Sequence, residues 1–435
     1  MPTARDSRLA NVSAEGIWKL PHVKKEQQSR PSAATDADSS RPLSALLSQM
    51  LVAFTVEFDN EFERQIAEAG HPGARLSLVV WSNLIRFIPP EGISVREIVS
   101  NSLLEQTEIK LMLGCLERWG FVALQAGSVQ QAPQVRVRGA FAVRDGFGSG
   151  RGINVESLVR LTETRGEKAR QIWPPLFELI ESRWRERFGA DEVAHFRDCL
   201  AHIADQLDVE LPHGFTDIRY RRREFPTRRS RNSSKFSLPT LLAQALFAFA
   251  IEFERESAAP LALCANAIRV LGEQPTREGE IPRLTGSSPE TSGIGWQLKP
   301  YIVVERAPST ERGKVVRLSS RGLEEQRRYG RLVAEIEKRW QSRFGKEHVE
   351  GLRDSLEALL DAEKGEHLML SEGLIPPSGT VRAGDISPAL GRRDIGSAAK
   401  QRARDLVAQT EDFVRDPTGT LPHYPLWDMN RGFGP

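Results

Sequence analysis

His195, Cys199 and His202 place three metal-ligating side chains at i, i+4 and i+7 of an amphipathic stretch. On a helix the outer two stand about 10 Å apart along the axis, too far to share one ion conveniently. Packing is the simpler reading of all three. The cluster Gly146-Phe-Gly-Ser-Gly-Arg-Gly152 invites a phosphate-loop reading, yet it lacks the Gly-Lys-Ser/Thr ending and opens no helix. HExxH and GxSxG are missing as well. Cys115 has the chemistry of a redox sensor, but a small residue among apolar neighbours reads as a buried, inert thiol. No catalytic constellation survives, so neither an enzyme nor a cofactor nor a metal site is expected.

What remains is charge. Lysine and arginine total 60 against 58 acidic residues, a net charge of +2 that averages over very uneven segments. From Arg219 to Arg231 the sequence RYRRREFPTRRSR carries seven arginines and one glutamate. Such a run is usually a solvated linker, and arginine is also the residue that best pairs with phosphate oxygens. The apolar share of 40% is ordinary for a globular protein, and no stretch has the length of a membrane span. With no signal-peptide core after Met1, and an odd set of three cysteines without a CxxC pair, the expectation is a cytoplasmic protein without disulfides.

The elements that must position these charges occur twice. Glu181-Ser-Arg-Trp-Arg-Glu-Arg-Phe-Gly189 returns as Glu337-Lys-Arg-Trp-Gln-Ser-Arg-Phe-Gly345. Leu47, Leu51, Phe54, Glu57 and Phe58 correspond at a constant interval to Leu242, Leu246, Phe249, Glu252 and Phe253. Asn83 and Arg86 match Asn266 and Arg269. Val159-Arg-Leu-Thr162 with Arg165-Gly166 matches Val316-Arg-Leu-Ser319 with Arg321-Gly322. The order is the same in both copies, and two copies are too few for a solenoid. A pseudo-dimer within one chain is the alternative. At the positions of His195, Cys199 and His202 the second copy has Gly351, Ser355 and Ala358, so the duplicated plan does not need those groups.

Residues 1–42 read as a flexible arm and 43–208 as the first module. An arginine-rich linker follows over 209–236, then the second module over 237–362. The rest, 363–435, is an extension with a short helix and an apolar tail, Leu421-Pro-His-Tyr-Pro-Leu-Trp-Asp428, expected to dock on the body. In the first module the apolar period from Leu47 to Phe62 marks a long helix, and Leu76 to Ile88 a second one stopped by Pro89-Pro90. Ser94 with Glu97 is spaced as a capping box for a third helix. Ile109, Met112, Leu113 and Leu116 line the inner side of a fourth, closed by Trp119-Gly120. A strand, a loop and the returning strand Leu158-Val-Arg-Leu161 complete the order of a winged helix-turn-helix. The predicted fold is mainly α with small β-wings: two tandem winged helix-turn-helix modules packed as an intramolecular pseudo-dimer. The aromatic stripes through Trp173 and Trp184, and through Tyr329 and Trp340, are expected to pair the modules.

This order of elements, with the Val159-Arg-Leu-Thr-Glu-Thr-Arg-Gly166 return strand and long flanking helices, resembles the MarR-type winged-helix transcription regulators. The resemblance covers most of 43–208 and 237–362. It implies a pair of recognition helices entering successive major grooves of double-stranded DNA, here fused in one chain, and regulation relieved by a small phenolic or oxidising ligand. In the first module Gln106, Thr107 and Lys110 are then the groove contacts, beside Glu105 and Glu108, which helix-dipole complementarity explains. In the second, a helix opened by Ser288-Pro289 and ended by Pro300 offers Ser292, Gln297 and Lys299. Arg306, Arg312 and Lys314 form its basic wing, while the first wing is a long insertion with Arg136, Arg138, Arg144 and Arg151, either an extended DNA-binding wing or a protein-docking hairpin. Unequal halves predict an asymmetric target. The alternative is a protein-interaction scaffold that keeps the fold without base reading.

Overall fold

In the computed structural model the described residues are 41–71, 74, 76–125, 153–215, 225–228, 233–285, 298–307, 313–360 and 423–425. They form a mainly helical protein with two small antiparallel sheets. None of its helices is long and apolar enough to cross a membrane.

Helix α1 (Leu43–Glu68) is buried at every residue from Leu43 to Thr55. Such all-round burial belongs to a helix with neighbours on every side. Helix α2 (Leu78–Asn83) is shorter than the apolar run predicts. Leu84, at φ −137°, interrupts the helical path, and a single 3-10 turn at Ile85–Phe87 follows. Strand β1 (Ile93–Ser94) leads into α3 (Val95–Ser102) through the expected capping box of Ser94 and Glu97. Leu103 then adopts the left-handed conformation at φ 61°, turning the chain tightly into α4 (Gln106–Arg118). The buried face of α4 is Ile109, Met112, Leu113 and Leu116, as its period requires. Strands β2 (Val122–Gln125) and β3 (Leu158–Leu161) pair antiparallel, Val122 opposite Leu161, and β1 joins the other edge of β3. Helices α5 (Arg165–Phe188) and α6 (Ala190–Asp205) close the first half.

Among the described residues the second half follows the same order, the counterpart of α4 lying outside them. Helix α7 (Leu238–Glu256) is buried at every residue from Leu238 to Ala250. The short α8 (Leu261–Leu263) runs into a π-helical turn, Cys264–Ile268. Strand β4 (Thr276–Arg277), helix α9 (Ile281–Thr285), and strands β5 (Ile302–Arg306) and β6 (Lys314–Leu318) follow, then α10 (Ser320–Phe344) and α11 (Lys346–Leu360). The strand orders β1-β3-β2 and β4-β6-β5 are equivalent. A shared glycine makes each possible: a Cβ at Gly166 would stand 2.2 Å from the Phe121 carbonyl oxygen, and one at Gly322 2.1 Å from that of Tyr301. Only hydrogen fits between strand and helix there.

The tryptophan stripes do not pair the halves. Trp184 packs edge-on against Phe54 at 5.2 Å and Trp340 against Phe249 at 5.4 Å, each ring meeting the first helix of its own half. Arg187 pairs with Glu57 of its own half at 2.6 Å. Arg343, 3.6 Å from Glu252 of its own half, reaches Asp208 of the first half at 2.8 Å, and the Phe344 carbonyl lies 3.0 Å from His202 Nε2. The tryptophans thus face inward, while the end of the second copy also touches the first half. A large aromatic ring finds its nearest deep groove inside its own module, and little of it is left for a partner.

The halves meet chiefly through α1 and α6 of the first, each of which packs on both α7 and α11 of the second. The first residue of the repeated element takes part. Glu181 holds Arg197, whose guanidinium reaches the Phe236 carbonyl just before α7. Glu337 holds Arg353, whose guanidinium donates to the Arg41 carbonyl, 2.8 Å away, just before α1. Each half thus reaches across to the start of the other's central helix. His195, Cys199 and His202 lie along the same seam. A Cβ on Gly351 would be 2.8 Å from His195 Nε2, and the imidazoles of His202 and His348 stack at 3.5 Å.

Candidate nucleic-acid interface

Helix α4 begins immediately after the tight turn from α3, the two packing together. Its acidic start has a structural use. The Glu108 carboxylate accepts the Glu105 N–H at 3.1 Å, satisfying one of the donors that a helix N-terminus leaves open. Thr107 is exposed, and Gln106 and Lys110 are half-buried. Thr107 and Lys110, three apart, share the side opposite Ile109 and Met112. Cys115 is fully buried on the inner face.

The β5–β6 hairpin carries the second group of charges. Arg306 and Lys314 are opposite each other at its end, both exposed, so two like charges project together. Like charges directly opposed disfavour pairing, which leaves the tip disposed toward an anion. Lys314 lies 3.9 Å from Glu278, and on the same hairpin Arg317 meets Glu305 at 3.0 Å. Exposed pairs of this kind contribute about 1 kcal/mol or less. Lys299 is exposed in the 3-10 turn Lys299–Tyr301 before β5, the turn that contains Pro300. Arg136, Arg138, Arg144, Arg151, Ser292, Gln297 and Arg312 lie outside the described residues, as does the helix start at Ser288-Pro289.

One described residue of the arginine-rich connector is committed elsewhere. Arg228 donates to the Ala204 carbonyl near the C-terminus of α6 and to Ser233 Oγ at 2.6 Å. It lies 5.6 Å over the Phe236 ring. This arginine fastens the connector to α6, where the orphan carbonyls and the helix dipole favour a cation.

The sequence reading missed a second duplicated feature. Leu211-Pro-His213 recurs as Leu421-Pro-His423, and each tripeptide leads into a strap held by the repeated asparagine. Asn83 Oδ1 accepts the Gly214 N–H at 3.1 Å and its Nδ2 donates to the Phe215 carbonyl at 3.3 Å. Asn266 treats Tyr424 likewise, accepting its N–H at 3.0 Å and donating to its carbonyl at 2.8 Å. In both halves the regular helix is interrupted at this asparagine, by Leu84 after Asn83 and by the π turn around Asn266. Burial and the neighbouring guanidiniums, Arg86 and Arg228 for His213 and Arg269 and Arg41 for His423, push both imidazoles down to about 3. Arg86 is itself pushed down to about 10 by burial. The recurring Leu-Pro-His was the available signal.

Among the described residues no group of three His, Cys, Asp or Glu side chains is arranged to hold a metal. No family model, curated protein or solved structure matches this chain.

Proposed function

We propose that this protein is a sequence-specific regulator that binds double-stranded DNA through two winged helix-turn-helix modules fused as a pseudo-dimer. The observation that supports the reading best is the recurrence of one sheet order, β1-β3-β2 and β4-β6-β5, combined in the first half with a capped helix α4 that keeps Thr107 and Lys110 off the core. In such modules the helix after the tight turn enters the major groove, and the hairpin contacts phosphates beside it. Thr107, Gln106 and Lys110 would read base edges in the first half. Arg306 and Lys314, with Arg312 between them in sequence, would contact phosphates in the second.

The test is enrichment of genomic DNA fragments by the purified full chain at two salt concentrations. Specific fragments should be retained, with affinity falling steeply as salt rises. Replacing Arg306, Arg312 and Lys314 by glutamine should weaken binding to all sequences alike and reduce the salt slope by about 3, since each phosphate contact contributes about 0.9. Absence of enrichment even at low salt would overturn the proposal in favour of a protein-interaction scaffold.

A further inference from the structure

Each half holds a half-buried arginine that meets no carboxylate among the described residues. Arg86 and Arg269 occupy the same position of the two copies. Each donates its Nε to the carbonyl one turn back, Ser82 at 2.6 Å and Ala265 at 2.9 Å. No carboxylate among the described residues acts on either guanidinium, whereas burial acts on both. The contrast with the rest of the molecule is direct: the partly buried Arg187, Arg197 and Arg353 all hold glutamates. A guanidinium withdrawn from water without a counter-charge is costly, and a fold that does this at both equivalent positions leaves a place for one.

The neighbours have the chemistry to complete such a place. Tyr329 and His423 both lie within electrostatic reach of Arg269. The Tyr329 hydroxyl and His423 Nδ1 are buried, and neither has a hydrogen-bond partner. In the first half His213 lies within electrostatic reach of Arg86, as His423 does of Arg269, and Gly214 beside it is held by Asn83 as Tyr424 is by Asn266. Trp173 occupies the position equivalent to Tyr329, and its indole N–H is likewise buried without a partner. Around Arg269 the unused groups are a hydroxyl donor and a neutral imidazole that gains a donor on protonation. A planar guanidinium fork beside neutral donors is the set that receives two oxygens of one anion.

We propose that each half contains an oxyanion-binding site, built from Arg86 with His213 in the first and from Arg269 with His423 and the Tyr329 hydroxyl in the second. The ligand is a small molecule bearing a carboxylate or a phosphate group. One fixed positive charge balances a carboxylate. A phosphate dianion would in addition require protonation of the histidine, so its binding would strengthen as pH falls. The straps form part of each site through their histidines, and Asn83 and Asn266 hold those straps in place. The inference is independent of DNA binding.

The experiment is titration of the full chain with sodium acetate and, separately, inorganic phosphate, at ionic strength held constant with chloride. The readout is the NMR resonances of the two histidine rings, assigned with His213→Gln and His423→Gln. Both resonances should shift saturably with at least one anion. Acetate alone assigns the sites to carboxylates, and phosphate alone, stronger at lower pH, assigns them to phosphate groups. Arg86→Met should abolish the His213 response only, and Arg269→Met the His423 response only. Should either methionine variant not fold, Arg86→Lys and Arg269→Lys keep the charge, lose the fork, and should weaken binding about tenfold. No saturable shift with either anion, or shifts that persist in folded arginine variants, would overturn the proposal.

Discussion

The rings of Phe215 and Tyr424 meet edge to face, centroids 5.2 Å apart and planes at 71°. Phe215 belongs to the strap held by Asn83, and Tyr424 to the strap held by Asn266, so the two duplicated straps touch each other. Phe215 also stacks on Phe247 of the central helix α7, at 4.8 Å. The contact ties three segments distant in sequence into one aromatic cluster at the join of the halves.

Truncating this cluster should be expensive. Phe215→Ala and Tyr424→Ala are each expected to lower unfolding free energy by about 3 kcal/mol or more, the usual cost of deleting a buried ring. Because the rings touch, the double variant should lose less than the sum, by about 0.5–1.5 kcal/mol. Urea denaturation of the four proteins measures this, and strict additivity would deny the coupling.

Acid should destabilise the protein through the straps. The folded values of His213 and His423, about 3, lie below the ordinary 6.5. The unfolded chain therefore binds protons first as pH falls, and stability drops from about pH 6.5 downward. Each histidine contributes a slope of about 1.4 kcal/mol per pH unit in that window. Between about pH 6.5 and 5.5, above most carboxylate titrations, the double variant His213→Gln with His423→Gln should show a flatter dependence. An unchanged slope in chemical denaturation at each pH would count against buried neutral imidazoles.

The cross-half arginines should couple to the glutamates of the repeated element. Arg353 and Glu337 have side-chain exposures of only 17% and 15% and meet at 2.6 Å. Arg353→Ala is expected to cost about 2 kcal/mol, as does losing a charge-assisted hydrogen bond in a sheltered site. Glu337→Gln should cost less alone and add little to the first. A loss no larger than that of the exposed Arg331→Ala would show that the seam does not depend on this arginine.

Glycines of the repeat should separate by geometry. Gly166→Ala and Gly322→Ala would push a methyl into a carbonyl oxygen, so both should lower the melting temperature and disturb strand pairing. Gly330, in the middle of α10 with open space around it, should respond in the opposite sense. Its alanine variant gains about 1 kcal/mol of helix preference. Thermal melts of the three variants decide the point, and destabilisation by Gly330→Ala would contradict it.

Much of the local structure was legible in the residues. The apolar period named the inner face of α4, and the Ser94–Glu97 spacing named the cap of α3. These signals are short-range: a helix repeats every 3.6 residues, and a cap acts within one turn. The run from Leu76 to Ile88 misled because apolar residues continue through Leu84 and Ile85, both buried, although the helix has already stopped. Apolar content records burial, and it does not record backbone direction.

The sequence by itself determined that one architecture occurs twice and which residues are duplicated. Only the tertiary structure decided what the duplicated residues do. Trp184 and Trp340 were visible as a pair, yet whether they faced their own half or the other depended on where Phe54 and Phe249 came to lie. The straps were harder still. Asn83 meets Gly214 across 131 positions and Asn266 meets Tyr424 across 158, separations that no local period reports. A three-residue repeat such as Leu-Pro-His has meaning only once folding brings the residues that follow it to an asparagine. Periodicity is set by neighbours along the chain, whereas partnership is set by the packing of whole helices, and that is a property of the folded molecule.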